Sequence, residues 1–268
     1  MPDYRPMSEP QQKQDTVPRK NTHKGIFLLP NLFTTGALFA GFYAIIAGMK
    51  GQFETAAIAV FLAMLLDGLD GRVARMTNTQ SDFGAEYDSL SDMASFGLAP
   101  ALVLYQWALV YLVDLGPMWG KIGWLAAFIY TASGALRLAR FNTQIGIADK
   151  RYFQGLPSPA AAAVTVGAVW VCETYGISGK DVMLPATILT VTAGLLMVSR
   201  FSYYSFKDLD FKKRVPFIAV LIVVLIFVLL SIETPTVLFS IFFLYMISGP
   251  VLALFRGIRK RRKLAQNG

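Results

Sequence analysis

Four aspartates at fixed intervals carry most of the chemistry in this sequence. They lie in Asp67-Gly-Leu-Asp70-Gly71-Arg-Val-Ala74-Arg75 and, eight residues on, in Gly84-Ala-Glu-Tyr-Asp88-Ser-Leu-Ser-Asp92. Both segments enter apolar runs, where a charge costs about 2.5–3.5 kcal/mol at mid-span, so such residues point to function. On a helix turning about 100° per residue, Asp67, Asp70, Gly71, Ala74 and Arg75 share an arc of roughly 140°. Gly84, Asp88 and Asp92 step by four and stay within about 80° of one another. A short turn between the helices makes them antiparallel neighbours, so the four carboxylates converge on one cleft. Converging carboxylates repel unless cations neutralise them. All-oxygen ligands suit two hard divalent cations, Mg²⁺ or Mn²⁺ (Ca²⁺ has the same preference), and argue against zinc. Such a pair clamps the oxygens of an in-line phosphoryl displacement. The glycines admit a diphosphate close to the backbone, and Arg75 neutralises phosphate.

A bundle of membrane helices must position these residues. Of the 268 residues, 54 % are hydrophobic, too many for an ordinary soluble domain. They fall into blocks of about 17–25, the length that spans a bilayer as helix. Period-two alternation is absent, which excludes a membrane barrel. The sequence thus predicts an all-α polytopic bundle of about eight transmembrane helices. The blocks run over 30–49, 54–75, 84–111, 119–140, 157–176, 181–199, 215–231 and 234–255. Gly97 and Pro100 predict a kink in the third. Residues 1–24 read as a disordered cytoplasmic arm, 25–256 as the membrane domain and 257–268 as a basic cytoplasmic tail.

Lysine and arginine fix the orientation. With the N-terminus inside, 22 of the 25 fall in the arm, the cytoplasmic loops and the tail, leaving Lys50, Lys121 and Lys180 outside. That asymmetry predicts an N-in, C-in, multi-pass protein of the cell (inner) membrane. Asp67 lies about nine residues from the cytoplasmic end of its helix, near 13 Å at 1.5 Å per residue, so the site opens toward the cytoplasm. The net charge of +8 is concentrated at span ends, where anionic lipid is the partner and nucleic acid is not. The one cysteine, Cys172, forms no intrachain disulfide, and the one histidine, His23, lies in the polar arm. Histidine metal sites and Ser-His-Asp chemistry are therefore excluded.

The spacing D-x₂-D-G-x₂-A-R-x₈-G-x₃-D-x₃-D resembles the signature of the CDP-alcohol phosphatidyltransferase family, and Asp67 to Asp92 match all eight fixed positions. The resemblance implies that Asp67, Asp70 and Asp88 bind metal and that Asp92 is general base on the acceptor hydroxyl. It also implies that Gly71, Ala74, Arg75 and Gly84 contact the CDP group of CDP-diacylglycerol. Asn31 and Thr34, in Pro30-Asn-Leu-Phe-Thr, resemble the family's first-helix start and would line the nucleotide site. The family is typically dimeric around six helices, so a homodimer is expected and the last two spans would extend that core.

Two further segments bear on the acceptor. Ser133-Gly-Ala-Leu-Arg137-Leu-Ala-Arg140-Phe-Asn142 and Phe153-Gln-Gly155-Leu-Pro157-Ser158-Pro159-Ala-Ala-Ala resemble those of family members that use L-serine. Arg137 and Arg140 lie three apart at a cytoplasmic helix end, where a serine carboxylate would need a cation. Pro157 and Pro159 suit the start of a helix, and Ala160 to Ala163 suit close packing. The expectation is transfer of a phosphatidyl group from CDP-diacylglycerol to L-serine. Glycerol 3-phosphate, an inositol phosphate or choline are the alternative acceptors. A cation transporter would need broken helices and inverted repeats, which the sequence lacks. A structural scaffold would leave the aspartates without a role.

Overall fold

The computed structural model describes residues 28–77, 79, 81–143, 152–204 and 217–266; the expected arm, 1–24, lies outside the described residues. Helices α1 (Leu28–Met49) and α2 (Phe53–Thr77) form an antiparallel pair. Their turn is closed by Gly51 at φ +73° and by the Gln52 N–H donating to the Ala47 carbonyl at 2.9 Å. A stripe of buried alanines, Ala37, Ala40, Ala44 and Ala47, meets Ala56, Ala57 and Ala63. Small residues at helical spacing let the two backbones approach, the usual packing where lipid competes for larger side chains.

The third span is one long helical rod in four pieces. Helix α3 (Asp82–Asp92) passes into a π-helical stretch, Met93–Leu98, then α4 (Ala99–Trp107) and a 3₁₀ stretch, Leu109–Leu115. Ser81 caps α3 by accepting the Gly84 N–H at 3.0 Å. Pro100 has no N–H to give the Phe96 carbonyl one turn back, which accounts for a break here. The irregularity expected at Gly97 and Pro100 is this wide turn, and the next helix serves its carbonyls. Helix α5 (Pro117–Thr143) donates Tyr130 OH to the Phe96 carbonyl and Thr131 Oγ1 to that of Gly97, each at 3.1 Å.

Helices α6 (Ser158–Thr174) and α7 (Met183–Val198) complete the core, and α8 (Phe217–Ile232) and α9 (Thr234–Gln266) follow. Each expected apolar block coincides with helix. Four described helical stretches are long and apolar enough to cross a membrane: Pro30–Met49, Asp82–Leu115, Pro117–Thr143 and Thr234–Phe255. Apolar residues such as Phe39, Leu65, Phe128 and Ile188 are exposed on the outer faces, as lipid contact requires. The protein is a membrane-integral helical bundle.

One element was not anticipated. Strands β1 (Tyr152–Gln154) and β2 (Ser202–Tyr204) pair antiparallel, with Phe153 opposite Tyr203. Aromatic residues favour strands, but three-residue segments are too short to show alternation in sequence.

Candidate active site

Helices α1, α2, α3, α5 and α6 bring their ends on one side of the bundle around a pocket of about 530 Å³. Asp67, Asp70, Asp88 and Asp92 all line it, as the helix phases require. One carboxylate oxygen from each of Asp67, Asp70 and Asp88 lies within 4.8 Å of the others. Asp92 stands one turn deeper along α3, adjoining Asp67 and within electrostatic reach of Arg137. Its Oδ1 is buried and accepts no hydrogen bond among the described residues. An orphaned carboxylate oxygen is costly in a dry site, and a cation or a protic substrate would satisfy it. The all-carboxylate triad and this orphaned oxygen fit a hard divalent cation, whose charge offsets the mutual repulsion.

Thr34 has two tasks here. It lines the pocket, and, with the residue 3 % exposed, its hydroxyl donates to Asp70 Oδ2 at 2.7 Å. The Thr34 carbonyl in turn accepts Ser91 Oγ at 3.1 Å, so α1 links the aspartates of α2 to those of α3. Asp70, 6 % exposed, is thereby fixed in one orientation.

Asn31, Gly71, Ala74, Arg75 and Gly84 line the same pocket, on the helix faces that carry the aspartates and on α1 beside them. A Cβ on Gly71 would meet nothing within 4 Å, so glycine there widens the cleft. One on Gly84 would sit 3.1 Å from Ser81 Oγ and 3.5 Å from Asn31 Oδ1, so a side chain there would fill the wall. Exposed Arg75 brings a cation to the mouth. This half of the pocket has the open backbone and the charge that a nucleoside diphosphate needs.

The two arginines of α5 separate. Arg137 lines the pocket and donates Nη1 to Ser158 Oγ at 2.6 Å, which aims the guanidinium beside Asp92. Arg140 is absent from the lining. Its Nη1 donates to the Val198 carbonyl at 3.2 Å and its Nη2 to that of Gln154 at 2.8 Å, tying α5 to the end of α7 and to β1. Three positions along a helix leave the two side chains about 60° apart and about 4.5 Å offset along the axis, enough for long guanidinium side chains to reach different partners. Sequence reasoning also overlooked Ser158 as the partner of Arg137, and the wall made by Phe141 and Phe153. The Pro157-Ser158-Pro159 segment places a polar serine in the first turn of α6, and its Oγ accepts from Arg137.

The profile of the family described as CDP-alcohol phosphatidyltransferase matches residues 27–198, more than half of the chain. A relative from Helicobacter pylori named CDP-diacylglycerol–serine O-phosphatidyltransferase is 38 % identical over 232 residues, covering 86 % of this chain and 92 % of its own. A protein of the same name from Methanocaldococcus jannaschii is 39 % identical over 159 residues, 59 % of this chain and 68 % of its own. An archaetidylserine synthase from Methanothermobacter thermautotrophicus is 35 % identical over 177 residues, 65 % of this chain and 69 % of its own.

Proposed function

The chain belongs to the CDP-alcohol phosphatidyltransferase family, and from that membership we propose that it transfers the phosphatidyl group of CDP-diacylglycerol to L-serine, releasing CMP. The observation that carries the choice of acceptor is the cation count of the pocket. Among the described residues that line it, only Arg75 and Arg137 are cationic. With Arg75 beside the diphosphate, one guanidinium remains among those residues, which suits a carboxylate better than a phosphorylated alcohol.

In this reading Asn31, Gly71, Ala74, Arg75 and Gly84 hold the CDP group, and Arg137, fixed by Ser158, holds the serine carboxylate. Thr34 serves the same side by fixing Asp70. The serine hydroxyl attacks the phosphorus bearing diacylglycerol: that O–P bond forms, the P–O bond to CMP breaks, and Asp92 takes the hydroxyl proton. Asp67, Asp70 and Asp88, with Asp92 at the edge, would hold two divalent cations, Mg²⁺ or Mn²⁺. When bound, these supply charge stabilisation to the transferred and leaving phosphates.

We further propose eight spans with both termini in the cytoplasm, an arm over 1–24, a membrane domain over 25–256 and a basic tail over 257–268. The site then faces the cytoplasm at the cell (inner) membrane. The lysine and arginine distribution supports this orientation. The family's habit supports a homodimer. The direct test is CMP release by purified protein given CDP-diacylglycerol and a panel of alcohols. Serine-dependent release is expected, and release with glycerol 3-phosphate, an inositol phosphate or choline in place of serine would overturn the acceptor assignment.

A further inference from the structure

The acceptor side of the pocket rests partly on β1, because Phe153 lines the same cavity as Pro157 and Arg137. A pair of three-residue strands is marginal by itself and needs support from its neighbours. One side is held within the core: Arg140 binds the Gln154 carbonyl, Gly155 N–H donates to the Phe201 carbonyl at 2.8 Å, and Leu156 N–H to that of Leu196 at 2.9 Å. The other side is held by α9, whose residues lie beyond the 27–198 matched by the family profile.

The α9 contact has a specific form. Tyr203, opposite Phe153 in the ribbon, is 0 % exposed. Its ring lies over Gly249, where a Cβ would meet Tyr203 Cε1 and Cε2 at 2.7 Å. Its hydroxyl donates to the Met246 carbonyl at 2.9 Å. That carbonyl is available because the residue one turn on is Pro250, which has no N–H to return. Glycine makes the hole and proline frees the acceptor, so Gly249-Pro250 is a socket for one tyrosine. Tyr245 adds a second tie, donating to the Tyr204 carbonyl at 3.0 Å with its ring 5.5 Å from that of Tyr203.

We infer that α9 sets the acceptor wall of the pocket by seating Tyr203 in the Gly249-Pro250 socket, and that Tyr203 and Gly249 are positioning residues for the acceptor alcohol. The connection runs from the socket to Tyr203, across the ribbon to Phe153, and along the backbone to Pro157 and Ser158, which holds Arg137. The donor half of the pocket, built on α1, α2 and α3, has no part in it. The inference rests on the proposed placement of the acceptor beside Arg137.

Its test is steady-state kinetics of the full-length protein with Gly249→Leu, Gly249→Ala and Tyr203→Phe. Each is measured on whichever alcohol the wild type uses best. Gly249→Leu fills the socket and is expected to raise the acceptor KM about tenfold, equivalent to about 1.4 kcal/mol. The donor KM and kcat should stay within about twofold, because Asp92 and the metal-binding carboxylates are untouched. Tyr203→Phe keeps the ring and loses only the hydroxyl, so it should shift the acceptor KM in the same direction by less. Should Gly249→Leu fail to fold, Gly249→Ala and Tyr203→Phe carry the comparison. An unchanged acceptor KM, or equal rises in both KM values, overturns the inference. Failure of serine with another alcohol active overturns only the acceptor assignment, since the variants are then compared on that alcohol.

Discussion

Arg137 and Arg140 share a helix end and a charge, yet only Arg137 lines the pocket, where we propose it as the serine ligand, while Arg140 ties backbone carbonyls together. A charge-assisted pair to the serine carboxylate contributes about 1.5–3 kcal/mol, so Arg137→Ala should raise the serine KM roughly 10- to 150-fold. CDP-diacylglycerol KM should hold, and Arg137→Lys should recover only part, because a point charge lacks the fork geometry. Arg140→Ala removes bonds to backbone carbonyls and should instead lower the unfolding temperature in detergent; a selective serine KM effect from it would reverse the division. At Asp92 the proposed proton transfer predicts that Asp92→Asn loses roughly 10²–10⁴-fold in turnover while still binding CDP-diacylglycerol. Asp67→Asn and Asp88→Asn should weaken Mn²⁺ binding itself, read by titration without substrate, and chelation should abolish CMP release. Near-normal turnover by Asp92→Asn, or full activity in chelated buffer, contradicts these roles.

Among the elements, two prolines inside helices share one physical consequence. Pro100 and Pro250 each withhold the N–H expected one turn back, and a tyrosine hydroxyl from a neighbouring element reaches the carbonyl so released: Tyr130 to Phe96 and Tyr203 to Met246. At the first of these the π stretch itself packs against α5, where a Cβ on Gly134 would lie 3.4 Å from Gly97 Cα. Tyr130 is fully buried, so Tyr130→Phe should cost about 1 kcal/mol, seen as a lower unfolding midpoint. Pro100→Ala restores a backbone donor, so the hydroxyl should matter less in that background. A Tyr130→Phe effect of equal size in both backgrounds would separate the hydroxyl from the proline.

Across the whole molecule, the pocket and the three sparse lysine sites occupy opposite ends of the bundle. Lys180 meets Asp114 at 2.8 Å, and Tyr175 OH donates to Glu233 at 2.8 Å, so the loops after α4, α6 and α8 gather away from the aspartates. The Lys180–Asp114 pair is exposed and adds little stability; its value is as a marker of that end. If the pocket faces the cytoplasm, single cysteines at Lys50, Lys121 and Lys180, placed in a Cys172→Ser background, should react with an impermeant thiol reagent in intact cells. A cysteine at Arg259 should react only after lysis. The opposite labelling pattern would invert the topology.

The sequence by itself determined the helical bundle, its helix positions and the residues that line the aspartate side of the pocket. Helical phase is a local property, so spacing puts Asp67, Asp70, Gly71 and Arg75 on one face of α2 and Asp88 and Asp92 on one face of α3, and α1 then joins the two faces. Apolar blocks and basic loops are equally local, and each block coincides with a helix. Tertiary structure decided the side of the pocket around Arg137. Whether Arg137 or Arg140 enters the pocket depends on Ser158 and on carbonyls at Gln154 and Val198, all distant along the chain. The β1–β2 ribbon and its seat on α9 depend on pairing between residues some fifty positions apart, in segments too short for any periodic signal. Where the chemistry rides on helix phase it could be read from the residues; where it rides on which distant backbone groups meet, only packing could choose.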